Sequence, residues 1–429
     1  MIRDTFNDTI AALSTPAGVG AIALVRLSGP DAVQIVSGVF SGRSDLREVA
    51  SHTAHFGTVF DGEDILDEVV ATVFRAPHSY TGEDVVEIAC HGSLFIQQRL
   101  LELLVRRGAR LATGGEFTKR AFLNGRMDLS QAEAVADLIA SESYAAHATA
   151  ISQMRGGYSQ RISGLRDQLL EFASLVELEL DFSDQDVEFA DRTRLSALLS
   201  EVRGTLRQLA DSFSLGNVIR NGIPVAIAGT TRDTIEDRIT ISGFVFRFID
   251  TAGLRSTDDT VERMGIERAY HKIEQASVVI CVLDATDFPP ERQQRFFAFR
   301  DKYRDKRLLV VWNKVDELSG ALPVDIPGVL SISARTGFGL DALRQRLTDF
   351  VGQGEVSDRT IVTNARHYDA LVRALHSIDD VEAGLSNGLS GDLLAIDLRQ
   401  AIDALAEITG DITDDDILGS IFSKFCIGK

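Results

Sequence analysis

The stretch IPVAIAGTTRDT, residues 223–234, begins with a short apolar run and ends in a polar turn. Further β-branched runs follow at residues 245–250, 278–284, 308–312 and 329–332, with helical stretches between them. Short strands that alternate with helices are typical of a parallel, doubly wound sheet. The sequence therefore predicts an α/β block, which we place at residues 218–353.

Four polar motifs fall within this block, and three of them directly follow a predicted strand. In order they are TTRDT (230–234), DTAG (250–253), NKVD (313–316) and SAR (333–335). Ligands of open α/β sheets bind at the carboxyl ends of the strands. DTAG or NKVD alone indicates little, because polar turns end many strands, but the ordered set predicts a guanine-nucleotide site.

The first two motifs suit the binding of phosphate and metal. A Thr hydroxyl in a mobile loop can bind Mg²⁺ and respond to a γ-phosphate. Asp250 can hold Mg²⁺ through a water molecule, and the Gly253 amide can approach the γ-phosphate because no side chain intervenes. The predicted residues on this side are Thr230, Thr231, Asp250, Thr251, Ala252 and Gly253.

The other two motifs suit the recognition of a guanine base. The carboxylate of Asp316 can accept hydrogen bonds from N1–H and the 2-amino group, so adenine is penalised. Asn313 can brace the loop, the Lys314 stem can cover the base, and the Ala334 amide can meet the guanine oxygen. The predicted residues on this side are Asn313, Lys314, Asp316, Ser333, Ala334 and Arg335.

A GTPase also needs a phosphate-binding loop of the form G-x-x-x-x-G-K-[ST], and this motif occurs nowhere in the 429 residues. The strand that should precede it ends at Ala228, and the sequence continues directly into Gly229. Either the chain lacks the loop and its helix, or the protein contains this mobile segment and the sequence as numbered here omits it. We favour the second interpretation, because exposing the strands would cost much of a folding stability of about 5–15 kcal/mol.

Different sequence patterns flank the α/β block. Residues 1–121 combine strand-like runs with few helices, which predicts an α+β domain. Residues 122–217 and 354–429 have apolar residues at helical spacing, so the α/β block is inserted into a discontinuous helical domain. Taken alone, these helices indicate scaffold or dimer surface rather than an active site.

The composition excludes several classes of protein. The chain has 44 Lys and Arg residues against 63 Asp and Glu residues, a net charge of −19, so any RNA contact must be a local patch or belong to a partner. Its three cysteines lie far apart, which excludes a disulfide framework and a zinc cluster. We see no signal peptide and no apolar run near 18 residues, and we expect a cytoplasmic protein.

Further motifs lie outside the α/β block. They are ALVRLSG (23–29), YTGEDVVE (80–87), GEFTKRAFLNG (115–125) and the terminal FCIGK (425–429). Together with GTTRDT, DTAG and NKVD, they resemble the tRNA-modification GTPase family MnmE, also called TrmE, from about residue 8 to the end. The resemblance implies a folate-binding, dimer-forming N-terminal domain, a two-part helical domain and an inserted Ras-like GTPase domain.

The resemblance also implies a reaction and a partner. With the flavoprotein MnmG, such a protein installs an aminomethyl-type group on C5 of the wobble uridine of certain tRNAs. A 5-formyl- or methylene-tetrahydrofolate supplies the one-carbon unit, and GTP hydrolysis drives or gates the reaction. Potassium and G-domain dimerisation take the place of an arginine finger, because a cation can neutralise charge in the transition state.

Residue roles follow from the matched motifs. Thr231 resembles the switch residue that binds Mg²⁺, Thr230 belongs to the potassium loop, and Glu262 matches the glutamate that positions the attacking water. The family's potassium-binding Asn would lie in the missing loop. Without the resemblance, Glu262 is an ordinary exposed helix charge.

The folate pocket is also implied by resemblance. Arg26, Glu87 and Arg126 match its residues, and Lys429 would reach it from the helical domain. Arg126 stands where the family usually has Lys, which keeps the charge and changes the geometry. Cys426 has the setting of an activated thiol, but we interpret it as a small buried residue on the apolar stripe at 422–425.

Two alternatives stay open at this point. If the phosphate loop is truly absent, the chain is a nucleotide-blind, folate-binding scaffold. A ribosome-assembly-type GTP switch would share TTRD, DTAG and NKVD, but it would lack the 1–121 block and the FCIGK end.

Overall fold

The computed structural model describes residues 7–181, 192–228, 236–251, 272–318, 320–324, 326–350, 360–413, 415–423 and 425–428. Predicted site residues that lie outside these ranges are Thr230, Thr231, Ala252, Gly253, Glu262 and Lys429. The chain divides into two compact units. Unit 1 comprises Met1–Ala136, Gln153–Arg203 and Arg373–Lys429, and unit 2 comprises Asp137–Ser152 and Gly204–Val372.

The strands are β1 (Ile10–Leu13), β2 (Ile22–Ser28), β3 (Phe40–Gly42), β4 (Thr53–Asp61), β5 (Asp64–Phe74), β6 (Val85–His91), β7 (Arg110–Leu111), β8 (Ile223–Ala228), β9 (Glu236–Ile241), β10 (Phe244–Thr251), β11 (Val278–Asp284), β12 (Arg307–Asn313) and β13 (Leu330–Ser331). The helices are α1 (Ala32–Ser37), α2 (Leu94–Arg106), α3 (Glu116–Leu123), α4 (Leu129–Ile139), α5 (Tyr144–Met154), α6 (Gly157–Asp181), α7 (Arg192–Asn221), α8 (Pro290–Lys302), α9 (Leu340–Asp349), α10 (Ala365–Ser386), α11 (Gly391–Thr409) and α12 (Asp415–Phe422).

Unit 1 contains a seven-stranded sheet in the order β3-β4-β5-β6-β2-β1-β7. Its neighbours pair antiparallel except β1 and β7, which are parallel. Along β5, Val69, Ala71 and Val73 are buried while the alternate residues are not, as expected when one sheet face is covered. Residues of α1 and α2, including Val36 and Leu104, pack on that face.

The helical part of unit 1 brings the end of the chain onto its N-terminal part. Phe422 and Phe425 pack with Leu129 of α4 and with Phe122. Ile427 forms an isolated antiparallel bridge with Gly114. Backbone pairing therefore joins residues near 114 to residues near 427, although they are far apart in sequence.

Unit 2 contains a six-stranded sheet in the order β13-β12-β11-β8-β10-β9. Four neighbouring pairs are parallel, and β9 alone among the described strands of this sheet pairs antiparallel, forming a hairpin with β10. The central β8 is flanked by β10 and β11, so the chain winds outward to both sides, as in doubly wound folds. The predicted fold class is confirmed.

One strand of this block escaped prediction. β9 carries Glu236, Asp237 and Arg238 in its first half, so it lacks the apolar run of a buried strand. It forms because it pairs along the edge of β10 through a two-residue turn at Ser242 and Gly243, both at positive φ. None of the described helices is long and apolar enough to cross a membrane.

Candidate functional site

The NKVD and SAR motifs meet at the carboxyl edge of the sheet in unit 2. Asn313, the last residue of β12, accepts hydrogen bonds at Oδ1 from the backbone N–H of Lys314 (2.8 Å) and of Ala334 (3.0 Å). Lys314 adopts a left-handed conformation with φ 65°. This single side chain thus fixes both loops to each other, which is the bracing role predicted for it.

The carboxylate of Asp316 lies on the short turn that follows. A hydrogen bond with Ser333, which is fully buried, lowers the pKa of Asp316, and the nearby Arg335 guanidinium lowers it further. Arg335 Nη2 lies 2.5 Å from Asp316 Oδ2 and also pairs with Glu317 at 3.1 Å. Asp316 is therefore ionised at neutral pH and can accept two N–H donors once the exposed Arg335 side chain moves aside.

Asp284 is a residue of this site that the sequence reasoning missed. It ends β11 directly beside Asn313, and its Oδ2 accepts a hydrogen bond from Lys314 Nζ at 2.6 Å. Burial alone would raise the pKa of Asp284, but hydrogen bonds from Lys314 and Thr286 outweigh that and lower it. The ion pair holds the Lys314 stem across the loop. The position of Asp284 at the end of a strand was the sequence feature that could have identified it as a site residue.

The phosphate side of the site is described only through its strands. Asp250 and Thr251 end β10 and pair in register with Ile227 and Ala228 of β8, at the same sheet edge as Asn313. The other predicted phosphate and metal residues lie outside the described ranges.

The connection from β8 to β9 is seven residues long, 229–235. The two strands flank β10, so the end of β8 and the start of β9 are about 10 Å apart. Seven residues span up to about 25 Å when extended. Seven residues therefore suffice to join the two strands, and this number is smaller than the eight residues of the phosphate motif itself.

The sheet face beside this connection is unevenly covered. Val225 and Phe246 are completely buried. On the same face, Phe248 beside Val225 and Val282 nearer the carboxyl edge are only partly buried. A helix that follows β8 in doubly wound folds would pack over such a face.

Unit 1 holds the residues predicted for folate. Arg26 and Glu87 are register partners on β2 and β6, and they form an ion pair with Nε–Oε1 at 2.9 Å and Nη2–Oε1 at 2.7 Å. The guanidinium carbon lies 5.3 Å from the Tyr80 ring centre and 5.7 Å from that of Phe117. Arg26 Nη1 is buried and has no hydrogen-bond partner among the described residues, so it is a donor poised for a ligand.

Arg126 lies against the loop that carries Tyr80. A Cβ added to Gly82, whose φ is +79°, would come within 3.2 Å of Arg126 Cγ. Asn124 Nδ2 also donates to the Thr81 carbonyl at 2.8 Å. Arg126 is thus packed on the Tyr80 loop, and its charged end is exposed.

The end of the chain approaches β1 of unit 1. Gly428 O accepts a hydrogen bond from Ser14 Oγ at 3.2 Å, and Cys426 O accepts one from Gly115 N–H at 3.3 Å. Gly428 packs so closely that an added Cβ would lie 2.3 Å from Leu13 O. The prediction that Cys426 is buried is wrong: its side chain is exposed, because the backbone rather than the thiol makes the contacts.

A buried charge network supports this pocket, and the sequence reasoning did not identify it. Arg120 is fully buried and contacts the carboxylates of Asp8, Glu83 and Glu116 at 2.8–3.2 Å. Burial alone would raise the pKa of Glu116, but hydrogen bonds from Arg110, Thr113 and Arg120 lower it to about 2. Because Glu83 also accepts from Ser28 Oγ at 2.6 Å, the network ties α3 to β2 and to the Tyr80 loop.

These features define the class: a protein with an α+β domain, a two-part helical domain and an inserted Ras-like nucleotide-binding block. Two family models match, "GTP-binding protein TrmE N-terminus" at residues 9–126 and "MnmE helical domain" at residues 129–426. The chain belongs to the tRNA modification GTPase MnmE family.

Curated relatives match along their whole length. The tRNA modification GTPase MnmE of Christiangramia forsetii is 49% identical, with 99% of both chains covered. That of Flavobacterium psychrophilum is 48% identical, with 99% of this chain and 100% of the relative covered. Among solved structures, Aquifex aeolicus Era is 23% identical over 39% of this chain and 63% of its own, with a TM-score of 0.26.

Proposed function

We propose that the chain is a GTP hydrolase that works with the flavoprotein MnmG in the cytoplasm. Together they install the carboxymethylaminomethyl-type group on C5 of wobble uridine in certain tRNAs. The observation that carries this is the base-binding loop, in which Asn313 joins the NKVD and SAR motifs in a member of a GTPase family. Relatives are named for GTPase activity and tRNA modification.

The proposed one-carbon donor is a 5-formyl- or methylene-tetrahydrofolate, bound by Arg26, Glu87, Arg126 and Lys429. The open donor at Arg26 Nη1, between two aromatic rings, supports a flat ligand that carries an acceptor group. Titration with 5-formyl-tetrahydrofolate tests this. Arg26→Gln should weaken binding about tenfold or more, because a charged hydrogen bond is lost, while the exposed Arg43→Gln should change nothing.

The proposed hydrolysis uses Thr231 for Mg²⁺, Thr230 for potassium and Glu262 to position water. The chain acts as a homodimer through its N-terminal domain, and its G domains pair during hydrolysis. Potassium should therefore raise the GTPase rate well above the rate in sodium at equal ionic strength. Equal rates in the two salts would exclude this part of the proposal.

The missing phosphate loop bears directly on this activity. Alignments with the relatives span 457 to 472 positions against 429 residues here, so at least 28 positions of each lack a counterpart. We infer that most of these fall between Ala228 and Gly229, where the phosphate motif should stand. The seven-residue connection favours a second candidate function, a nucleotide-blind folate-binding scaffold.

The intact mass of the purified chain separates the two candidates. A mass near 46.8 kDa means that the segment is absent; GTP should then bind no more tightly than guanosine, within about threefold, because only the base is recognised. An excess of about 3 kDa or more, the mass of at least 28 residues at the mean residue mass of this chain, means that the segment is present and that the GTPase proposal stands. No observation favours the ribosome-assembly alternative.

A further inference from the structure

The carboxylate proposed to recognise guanine already carries a partner from its own chain. Asp316 would accept hydrogen bonds from the N1–H and 2-amino groups of the base, and Arg335 Nη2 lies 2.5 Å from its Oδ2. A guanidinium at this distance fills the space beside that oxygen. A base that donates to both oxygens of Asp316 therefore has to displace Arg335 first.

A second carboxylate keeps Arg335 in this position. Its Nη1 lies 3.1 Å from Glu317 Oε1, so the two ends of one guanidinium bridge two neighbouring acids. The guanidinium is planar and rigid, and the contact with Glu317 therefore also restricts the end that faces Asp316. This second contact matters because 70% of the Arg335 side chain is exposed, and a single surface ion pair would hold it weakly.

The other cation of the loop is directed elsewhere. Lys314 Nζ donates to Asp284 Oδ2 at 2.6 Å, and Asp284 is itself fixed by the backbone N–H and the hydroxyl of Thr286 at 2.9 and 2.7 Å. Lys314 is thus held by a carboxylate of its own. Among the described residues, Arg335 is therefore the cation that pairs with Asp316.

Arg335 can move aside without a rearrangement of its loop. The preceding residue, Ala334, is tied by its N–H to Asn313 at 3.0 Å. The N–H of the following residue, Thr336, donates to Ser333 Oγ at 3.1 Å. The backbone on both sides of Arg335 is therefore fixed, and the exposed side chain leaves by rotation about its own bonds, which is fast.

We infer that Arg335 competes with the guanine base for Asp316 and so sets the affinity of the base site. This role rests on the proposed function, because the site concerned is the one that would hold GTP. Loss of one exposed ion pair changes an equilibrium constant by up to about fivefold. The competition should therefore lower the affinity for guanine by about two- to fivefold.

The test uses the full chain and guanosine, which is uncharged and makes no phosphate contacts, titrated by ligand-observed NMR. Arg335→Gln should bind guanosine about two- to fivefold more tightly than the parent chain. Raising salt from about 50 to 500 mM should narrow this difference, because salt screens the ion pair that guanosine has to break. Arg344→Gln, which removes an exposed pair with Asp341 elsewhere in unit 2, should match the parent.

A second variant tests the bridge to Glu317. Glu317→Gln should also tighten guanosine binding, by less than Arg335→Gln, because it only loosens the competing side chain. The chain that carries both substitutions should bind like Arg335→Gln alone, since Glu317 acts through Arg335. Additive effects of the two substitutions would contradict the bridge. Thermal unfolding should show that every variant is folded.

The remaining outcomes separate this role from the proposed function. GDP, titrated in parallel, should give the same order of affinities. Equal affinities in Arg335→Gln and a parent chain that binds guanine ligands overturn the competition and leave the proposed function intact. Weaker binding in Arg335→Gln would make Arg335 a base-contacting residue and also overturn the competition. Absence of guanosine and GDP binding in every chain would overturn the base site and the GTPase proposal together.

Discussion

The candidate guanine site and the candidate folate site are assembled in opposite ways. The guanine loop is closed by hydrogen bonds within residues 284–335, at one edge of one sheet. The folate site depends on segments from both ends of the chain, which meet through Arg120 and Gly428. A site closed by short loops keeps its geometry when a neighbouring segment is missing, whereas a site closed by distant segments depends on the folding of its whole unit.

The largest expected effect is at the centre of the long-range site. Arg120→Met would remove the cation of the partly buried Glu83 and leave the buried Glu116 with Arg110 alone. The free energy of unfolding of unit 1 should fall by about 3–5 kcal/mol, as measured by urea denaturation, and folate binding should fall with it. The exposed Arg107→Met should change stability by less than about 0.5 kcal/mol. An unchanged free energy of unfolding in Arg120→Met would refute the dependence of unit 1 on this network.

A substitution at the centre of the guanine loop should weaken nucleotide binding without affecting the folate site. Asp316→Asn replaces an acceptor with an amide that donates, so affinity for GDP should fall at least about a hundredfold. Affinity for the xanthine analogue should rise, because its 2-oxo group can accept from the amide. Calorimetric titration measures both, and an unchanged affinity for 5-formyl-tetrahydrofolate would sharpen the comparison. Loss of folate binding in this variant would contradict it.

The contact at the end of the chain should have a smaller effect. Gly428→Ala would place a Cβ 2.3 Å from Leu13 O at a residue with φ +97°. Such a clash and strain should cost about 1–3 kcal/mol, seen as faster amide exchange at residues 425–428 and about tenfold weaker folate binding. Gly388→Ala is the matched control, because φ is +70° there and nothing lies within 4 Å. Equal effects of the two substitutions would show that strain alone accounts for the loss.

The smallest expected effect is a dependence of stability on pH. The pKa of Glu116 is lowered to about 2 from 4.5, so its ionised form stabilises the folded state above pH 4.5. That contribution should disappear as the pH falls toward 2, by about 1–2 kcal/mol after screening by solvent. Urea midpoints measured from pH 5 to 2 should therefore fall more steeply for the parent chain than for Glu116→Gln. Equal pH dependence of the urea midpoints in the parent chain and in Glu116→Gln would contradict a stabilising role for ionised Glu116.

Much of the guanine loop was predictable because its parts are contiguous motifs at strand ends. Asn313 was expected to brace the loop, and its side chain accepts a hydrogen bond from the Ala334 N–H. Asp284 was not singled out, because its partner Lys314 lies 30 residues away, just after the next strand. Only the register of β11 beside β12 brings the two together.

Less of the folate site was predictable. The resemblance marked Arg26 and Glu87, and the structure pairs them across β2 and β6. Arg120 lay within a quoted motif and carried no visible signal, since an arginine on a helix is usually exposed. Its complete burial follows from the packing of α3 against the loop that carries Glu83.

The sequence by itself determined the fold class, the family, the guanine motifs and the absence of a phosphate motif, because each is written in consecutive residues. Tertiary structure alone decided which charges are buried and that Gly428 rests on the end of β1. The physical reason is that burial and ion pairing depend on what packing brings within a few ångströms, and these neighbours lie tens to hundreds of residues away along the chain.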